Sequence, residues 1–564
     1  MTTFTDVLKD FYEREPDRVS VTLQHTNQPD FHITYRELIE RSNDYAVAYA
    51  RAGIKPGEVI ILILQHGKDL VYSFWGAVLL GAIPSMMPFL TEKLSPDRYR
   101  ADLTALLSHS RPTGIVTYPE FESDVRMLVA ESKDSVREVF ITDRIPRQEK
   151  TDFSSLPGAK RNETDIVLLQ HSSGSTGLQK GVALSHLAVF NHLDAYGESL
   201  RLTRDDVIIS WLPLYHDMGL ICCFLMPILR GIHVVQMSPF DWVRAPYRML
   251  QSISAYRGTM TWLPNFAYNF CAQKIRDRDL EGVDLSSWRA SMNGSEPVKF
   301  KSHQMFHERF KSYGLRLETL QTLYGMAENV VAATQSEPGK PPYVEDVDRE
   351  SFITDRIARP AFDGRPAIQM MSCGKPIPNT VIRVVDSHGH DLPERHIGEI
   401  VLKSNCMLTE YYNRPDITKQ AFLPGGWYLT GDYGYLVNRE MFVAGRKKDM
   451  IIVGGKNVYP QDLEALVSEV PGVHPGRTVA FGLFDEAQGT EEVVLIAEVD
   501  STDEAEHERI ADEIRRYVTK NSAIAMRHVR VVGPKWILKT SSGKVARTAS
   551  KEKFIKELEA SQAS

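Results

Sequence analysis

The sequence predicts an α/β protein: a large N-terminal body of helix-covered mixed sheets, a β-rich subdomain, and a small α+β C-terminal domain. Three observations predict it. The first third alternates strand and helix patterns, which argues for a parallel sheet covered by helices. The sector Met370 to Leu436 holds short strands broken by Gly, Pro and Asn. The tail then reads β-α-β.

The elements follow in order. Glu58 to Leu64 (EVIILIL) is a continuous apolar run of the kind buried on both faces of a sheet. Asp69 to Leu80 is helical in pattern, and Gly114 to Thr117 and Glu138 to Thr142 read as short strands. Ile166 to Gln170 is a further apolar strand that runs into a glycine-rich loop. In the tail, Thr478 to Leu483 and Glu492 to Val499 read as strands, Glu504 to Thr519 as a helix, and His528 to Val532 as a strand. A boundary at Arg446 to Lys448 fits, giving a body of residues 1–445 and a C-terminal domain of residues 449–564.

Composition bounds the function. A length of 564 residues makes two or more domains the expectation, and 43% apolar with 25% charged residues is an ordinary globular balance. A net charge of −7 offers no footprint for nucleic acid. The five cysteines (Cys222, Cys223, Cys271, Cys373 and Cys406) form no CxxC pair, and read as buried reduced thiols. The N-terminus lacks a basic and apolar leader, so a cytoplasmic protein is expected. Leu70 to Leu90 carries no charge and is long enough to span a bilayer. Gly76, Gly81, Pro84 and Pro88 interrupt it, so it reads as a buried helix, a turn and a strand start, with no stable membrane insertion.

The most informative segment is Gln170-His171-Ser172-Ser173-Gly174-Ser175-Thr176-Gly177-Leu178-Gln179-Lys180-Gly181. Small residues let backbone N–H groups surround phosphate oxygens, hydroxyls add donors, and a lysine adds charge. A Ser/Gly run alone would be a surface loop. Here it follows an apolar strand and precedes another, Val182-Ala183-Leu184. The GxxxxGK[ST] spacing of kinases and motor NTPases is absent.

This loop resembles the phosphate-binding motif of the adenylate-forming enzymes, with Gln179 in place of the usual proline. Four further motifs fall in that family's order. Tyr324-Gly325-Met326-Ala327-Glu328 resembles the motif whose tyrosine stacks on adenine and whose glutamate holds Mg²⁺, with Ala327 replacing a threonine. Thr430-Gly431-Asp432 resembles the ribose-binding motif, and Gly445-Arg446-Lys447-Lys448-Asp449 the hinge. Thr540-Ser541-Ser542-Gly543-Lys544 resembles the loop of the catalytic lysine. The resemblance implies a mobile C-terminal domain turning about residues 446–448. It implies Lys544 and Glu328 as catalytic, Glu328 as metal ligand, and ATP and Mg²⁺ as cofactors. It further implies an ATP site of Ser172, Ser173, Gly174, Ser175, Thr176, Gly177, Lys180, Gly294, Ser295, Glu296, Tyr324, Gly325, Met326, Ala327, Asp432 and Arg446, with Lys448 as hinge.

Within the family, Trp211 to Leu220 (WLPLYHDMGL), Leu263 to Tyr268 (LPNFAY), Asp284 to Arg289 (DLSSWR), Asn293 to Val298 (NGSEPV) and Tyr459 to Glu464 (YPQDLE) resemble the fatty acyl-AMP ligase branch. So does the charged, Pro-containing segment of residues 344–369, which reads as that branch's insertion and unlike a core element. The resemblance implies activation of a fatty acid to acyl-AMP with release of pyrophosphate. Transfer would follow to the phosphopantetheine thiol of an acyl carrier protein, or of a polyketide or peptide synthase carrier domain, met in trans. His216, Met218, Gly219, Leu220 and Phe266 are the acyl-pocket candidates, with Met326 a further lining candidate; Met218, Leu220, Phe266 and Met326 are equally readable as core. An acyl-CoA synthetase is the alternative, since Gly454-Gly455 could border a pantetheine tunnel. A non-catalytic adenylate sensor would be expected to lack Lys544 or Glu328, and both are present.

Overall fold

The computed structural model describes residues 2–563 except 90–95, 132–134, 149–150, 154–155, 172–179, 363, 454–455, 475, 486–489, 523, 525, 527 and 541–542. The chain divides into two compact units. The first comprises Met1–Tyr343, Cys373–Val381 and Lys403–Gly426; the second comprises Val344–Ser372, Ile382–Leu402 and Trp427–Ser564. Compactness thus places both sides of Arg446–Lys448 in one unit.

In the first unit, Val59–Ile63 lies inside a four-stranded all-parallel sheet, flanked by Ile83–Met86 and Gly114–Thr117, with Glu138–Ile141 at the edge. All five residues of Val59–Ile63 are buried, as a run without alternation requires. The uncharged segment after it is the buried helix Lys68–Leu80 followed by the strand Ile83–Met86, as expected. Gly81 ends the helix in the left-handed region. Among the described residues no helix is long and apolar enough to cross a membrane.

A nine-stranded sheet forms the rest of this unit's core. Its order is Lys375–Pro376, Ala332–Gln335, Leu320–Gly325, Ala290–Gly294, Met260–Pro264, Val207–Ser210, His233–Met237, Val19–Gln24, Phe31–Thr34. From Leu320–Gly325 through Val19–Gln24 every pairing is parallel, and the outer pairings are antiparallel. The strand Ile166–His171 joins neither large sheet. It pairs antiparallel with Gly181–Ser185, which pairs antiparallel with Glu410–Tyr411. A loop closing two antiparallel strands needs no helical crossover, so the βαβ alternation stops there.

The second unit is β-rich at its start and α+β at its end. Gly398–Ser404, Trp427–Val437 and Glu440–Arg446 form an antiparallel sheet. Thr478–Asp485 and Thr490–Glu498 pair antiparallel, His528–Val532 joins parallel to the latter, and the helices Glu504–Ser522 and Arg547–Ala563 complete the tail. Residues 344–369, expected to be unlike a core element, contribute to a core. Val344–Asp348 pairs antiparallel with Ala367–Met371. Val347, Phe352 and Ala358 are fully buried in a core with Tyr435, Phe442 and Tyr459. The charge count misled because it averages over a ribbon with one buried face.

All five cysteines are buried and free. The first unit also buries histidines. Burial lowers His192 and His303 to about 3, and His171 and His186 to about 4. The unfolded chain therefore takes up these protons first as pH falls. This stability is fully present above about pH 6.5 and is lost toward pH 4, by up to about 1.4 kcal/mol per pH unit for each group. Melting temperature should hold near neutrality and fall steadily below about pH 6.5; a constant value from pH 7.5 to 5 would contradict the burial of these rings as neutral groups.

Candidate active site

Four neighbouring strands of the nine-stranded sheet run parallel, so their carboxyl ends lie at one edge: Val207–Ser210, Met260–Pro264, Ala290–Gly294 and Leu320–Gly325. The chain leaves each end directly into a predicted site segment. Trp211 to Leu220 follows the first, Asn265-Phe266 the second, Ser295-Glu296 the third and Met326 to Glu328 the fourth. Such an edge is the usual ligand position of open α/β sheets.

Polar contacts join the segments after Pro264 and Gly294, and a looser one reaches Met218. Glu296 Oε2 accepts a hydrogen bond from the Phe266 backbone N–H at 3.0 Å, and Ser295 Oγ lies 3.9 Å from Met218 Sδ. Beneath them, the buried Asn293 Nδ2 donates to Asn265 Oδ1 at 3.0 Å and lies 3.0 Å from His303 Nε2. Asn265 Oδ1 also accepts from the Lys299 backbone N–H at 3.1 Å. Asn265, Asn293 and His303 were not among the predicted site residues; asparagine at two strand ends was the available signal.

Among the acyl-pocket candidates, Asp217 Oδ1 accepts from the Met218 backbone N–H at 2.8 Å and starts a helical segment, Met218–Leu225. Met218, Gly219 and Leu220 are buried, while His216 and Phe266 are half-buried. Gly219 is required by close approach: a Cβ there would lie 2.3 Å from the Pro213 carbonyl oxygen. Trp211 stacks on Trp242 with centroids 3.6 Å apart and planes 2° from parallel, and Phe266 meets both edge-on at 6.2 and 6.1 Å. Trp242 and Trp211 are 31 residues apart (242 − 211), so this aromatic wall gave no local signal.

Among the candidate nucleotide-site residues, Tyr324 is largely buried and Gly325 passes against the entry to the strand Ala332–Gln335, where a Cβ would lie 1.9 Å from the Val331 carbonyl oxygen. Met326 is half-buried and Ala327 buried. Glu328 is 9% exposed, and its Oε1 accepts from the Tyr411 hydroxyl at 2.6 Å. Lys180 Nζ stands 4.9 Å from the centroid of the Tyr411 ring. Gly294 is buried at the end of its strand, and Ser295 adopts φ +66°. Ser172, Ser173, Gly174, Ser175, Thr176 and Gly177 lie outside the described residues, as do Gly454 and Gly455.

The remaining predicted residues are in the second unit. Asp432 and Arg446 face each other across antiparallel strands, with Oδ1 and Nε 3.8 Å apart. The Asp432 backbone N–H donates to Thr430 Oγ1 at 3.0 Å, and Thr430 Oγ1 donates to the Ile400 carbonyl at 2.7 Å. Lys447 Nζ pairs with Glu399 at 2.7 Å, a contact that raises the lysine's pKa, and Lys448 is exposed. Gln461 Nε2 donates to the Ala444 carbonyl at 2.6 Å, tying the Tyr459–Glu464 motif to this strand. The Thr540 backbone N–H donates to the Lys544 carbonyl at 2.8 Å, and Gly543 adopts φ +82°. Three residues on, Arg547 pairs with Glu464 and lies 3.7 Å from Asp449.

Comparison with known proteins agrees with this architecture. Residues 8–412 match the family model of the AMP-binding enzymes. A medium-chain-fatty-acid–[acyl-carrier-protein] ligase, JamA of Moorena producens, is 30% identical over 93% of this chain and 90% of its own. The long-chain-fatty-acid–AMP ligase FadD26 of Mycobacterium marinum is 30% identical over 97% and 96%. A solved chain from work on fatty acyl-adenylate ligases from E. coli and L. pneumophila superposes with a TM-score of 0.89 at 27% identity, covering 99% of both chains. The chain belongs to the AMP-binding enzyme family and is an adenylate-forming ligase.

Gly325→Ala tests the close approach of Gly325 to the Val331 carbonyl. Its methyl would meet rigid backbone, and overpacking of this kind costs on the order of 3 kcal/mol. Denaturant unfolding should show a lower midpoint, and an unchanged midpoint would mean that the two strands can separate there without cost.

Proposed function

We propose that this ligase activates a fatty acid to acyl-AMP, releasing pyrophosphate, and transfers the acyl group to the phosphopantetheine thiol of an acyl carrier protein or carrier domain in trans. The observation that carries the first step is the meeting at one sheet edge of two predicted sites. The Ser295-Glu296 turn of the ATP site touches Met218 and Phe266, and Phe266 abuts the Trp211–Trp242 wall. An apolar tail lying there gains roughly 0.8 kcal/mol per buried CH₂, which favours fatty acids over acetate. The names carried by JamA and FadD26 support the substrate class, and JamA's also supports the carrier.

The chemistry asks for position and charge. A fatty carboxylate is already ionised, with a reference pKa of about 4, so attack on the α-phosphorus needs no general base. The barrier is the approach of an anion to a polyanion. Lys544 would bridge the carboxylate and the nucleotide, Tyr324 would stack on adenine, and Asp432 and Arg446 would hold the ribose. Lys180 and the loop of residues 172–177 would hold the leaving pyrophosphate. Among the described residues no cluster of three ligating side chains exists. A single carboxylate, Glu328, suits Mg²⁺ shared with phosphate oxygens and water. When bound, Mg²⁺ supplies charge neutralisation on those phosphates.

Transfer needs a second domain arrangement, and Lys448 is the proposed hinge. The segment 344–369 would bias that arrangement, which favours a carrier protein over coenzyme A. In support, Phe352 and Val347 pack in one core with Tyr459, and the Arg349 guanidinium donates to the Asn521 carbonyl. Both partners lie beyond the hinge.

The test is incubation with ATP, a ladder of fatty acids, and either holo-carrier protein or coenzyme A, with acyl-AMP and acyl-thioester measured by mass. Acyl-carrier product should exceed acyl-CoA; equal rates would replace this reading with an acyl-CoA synthetase. Lys544→Ala should lower acyl-AMP formation by about 10²–10³, the usual effect of losing one preorganised charge, with the melt unchanged. Wild-type adenylation in that variant would remove the lysine's role. Trimming residues 349–365 should raise acyl-CoA output without raising adenylation, because a bias of a few kcal/mol holds the competing arrangement to a few per cent. A cooperative melt must accompany the gain. Unchanged acyl-CoA output from a folded variant would reduce the segment to a structural ribbon.

A further inference from the structure

We infer that Tyr411 is a positioning residue for the metal-bound nucleotide, holding Glu328 and Lys180 in fixed relation through opposite parts of one side chain. This deepens the adenylation reading and rests on it. The Tyr411 hydroxyl donates to Glu328 Oε1 at 2.6 Å, and its ring lies beneath the Lys180 ammonium at 4.9 Å. Tyr411 is 3% exposed, so both interactions work in a drier medium than water. The donated bond occupies one carboxylate oxygen and restricts rotation about Cγ–Cδ, which aims the other oxygen.

The surrounding backbone leaves little freedom to either partner. Glu328 sits on a short turn, Ala327–Asn329, and the next residue, Val330, adopts φ +64° and ψ −61°. Val331 N–H donates to the Asn329 carbonyl at 2.7 Å, closing a three-residue γ-turn that a β-branched residue adopts only under strain. Residues 404–411 hold that turn in place. The Leu408 backbone N–H donates to the Glu328 carbonyl at 2.8 Å, and Ser404 Oγ donates to Asn329 Oδ1 at 2.6 Å. The same segment binds the phosphate-loop side. Thr409 N–H donates to the Ala183 carbonyl at 2.9 Å, Tyr412 N–H donates to the Gly181 carbonyl at 2.8 Å, and Tyr411 stands opposite Val182 in the strand pair. Tyr411 N–H itself donates to Thr418 Oγ1 at 3.0 Å. Two motifs about 150 residues apart (328 − 180 = 148) are therefore joined by one tyrosine that belongs to neither.

The test compares binding of ATP by calorimetry, with excess Mg²⁺ and with chelator, for wild type, Tyr411→Phe, Tyr411→Leu, Glu328→Gln and the Tyr411→Phe/Glu328→Gln double variant. Tyr411→Phe keeps the ring and loses the hydroxyl. It should weaken Mg²⁺-ATP binding by about tenfold, the usual effect of losing a hydrogen bond to a charged group, and leave metal-free ATP within about twofold. Tyr411→Leu should weaken metal-free ATP as well, because Lys180 loses its aromatic face. In the Glu328→Gln background, Tyr411→Phe should add less than about twofold, since the two residues act as one unit. Melting curves accompany each variant. Unchanged Mg²⁺-ATP binding in folded Tyr411→Phe, equal loss with and without metal, or fully additive effects in the double variant would each overturn the inference. Failure of the wild-type protein to bind ATP at all would overturn the adenylation reading and this inference with it.

Discussion

Parallel pairing of adjacent strands is the constraint on which the candidate site depends. Antiparallel neighbours would send successive strand ends to opposite edges, and the segments after Ser210, Pro264, Gly294 and Gly325 would never meet. Parallel neighbours bring all four to one edge, at the cost of a crossover between each pair. The crossovers here are helices such as Asn265–Lys274 and Phe300–Phe310, which also cover the sheet. The site is therefore a consequence of topology before it is a matter of individual side chains.

The loops at that edge then need to be rigid, and polar contacts between neighbours supply this. The Asn265–Asn293–His303 cluster and the Glu296–Phe266 bond fasten the loops after Pro264 and Gly294 to each other. Such bonds contribute only about 1 kcal/mol net each, but a buried partner left unsatisfied costs more, so the loops hold a single arrangement. The burial of His303 as a neutral ring belongs to the same economy: charging it would break the cluster.

The second unit repeats the theme with charge. Asp432 and Arg446, Lys447 and Glu399, and Arg547 with Glu464 and Asp449 place oppositely charged groups along one run of strands and turns. Segment 344–369 is built into that unit by a buried apolar face, with Arg395 and Tyr435 meeting Glu345 at 3.1 and 2.9 Å.

Much was legible in the chain alone. The buried run Val59–Ile63, the interrupted apolar stretch after it, the β-rich sector and the β-α-β tail follow from periodicity and from glycine and proline placement, which are local properties. The order of five motifs pointed to an adenylate-forming ligase, because the residues that bind a nucleotide cluster in short loops with recognisable chemistry. What local pattern does not contain is which distant segments meet. The Trp211–Trp242 stack, the buried face of segment 344–369, and the bond from Tyr411 to Glu328 across 83 residues (411 − 328) arise from strand pairing and packing. Tyr411 in particular sits in a Glu-Tyr-Tyr-Asn stretch outside the five motifs, and only the antiparallel pairing of Glu410–Tyr411 with Gly181–Ser185 brings it to the Glu328 carboxylate. Sequence determined the elements and their chemistry; tertiary structure decided their partners, because pairing energy is shared between residues that no short window includes.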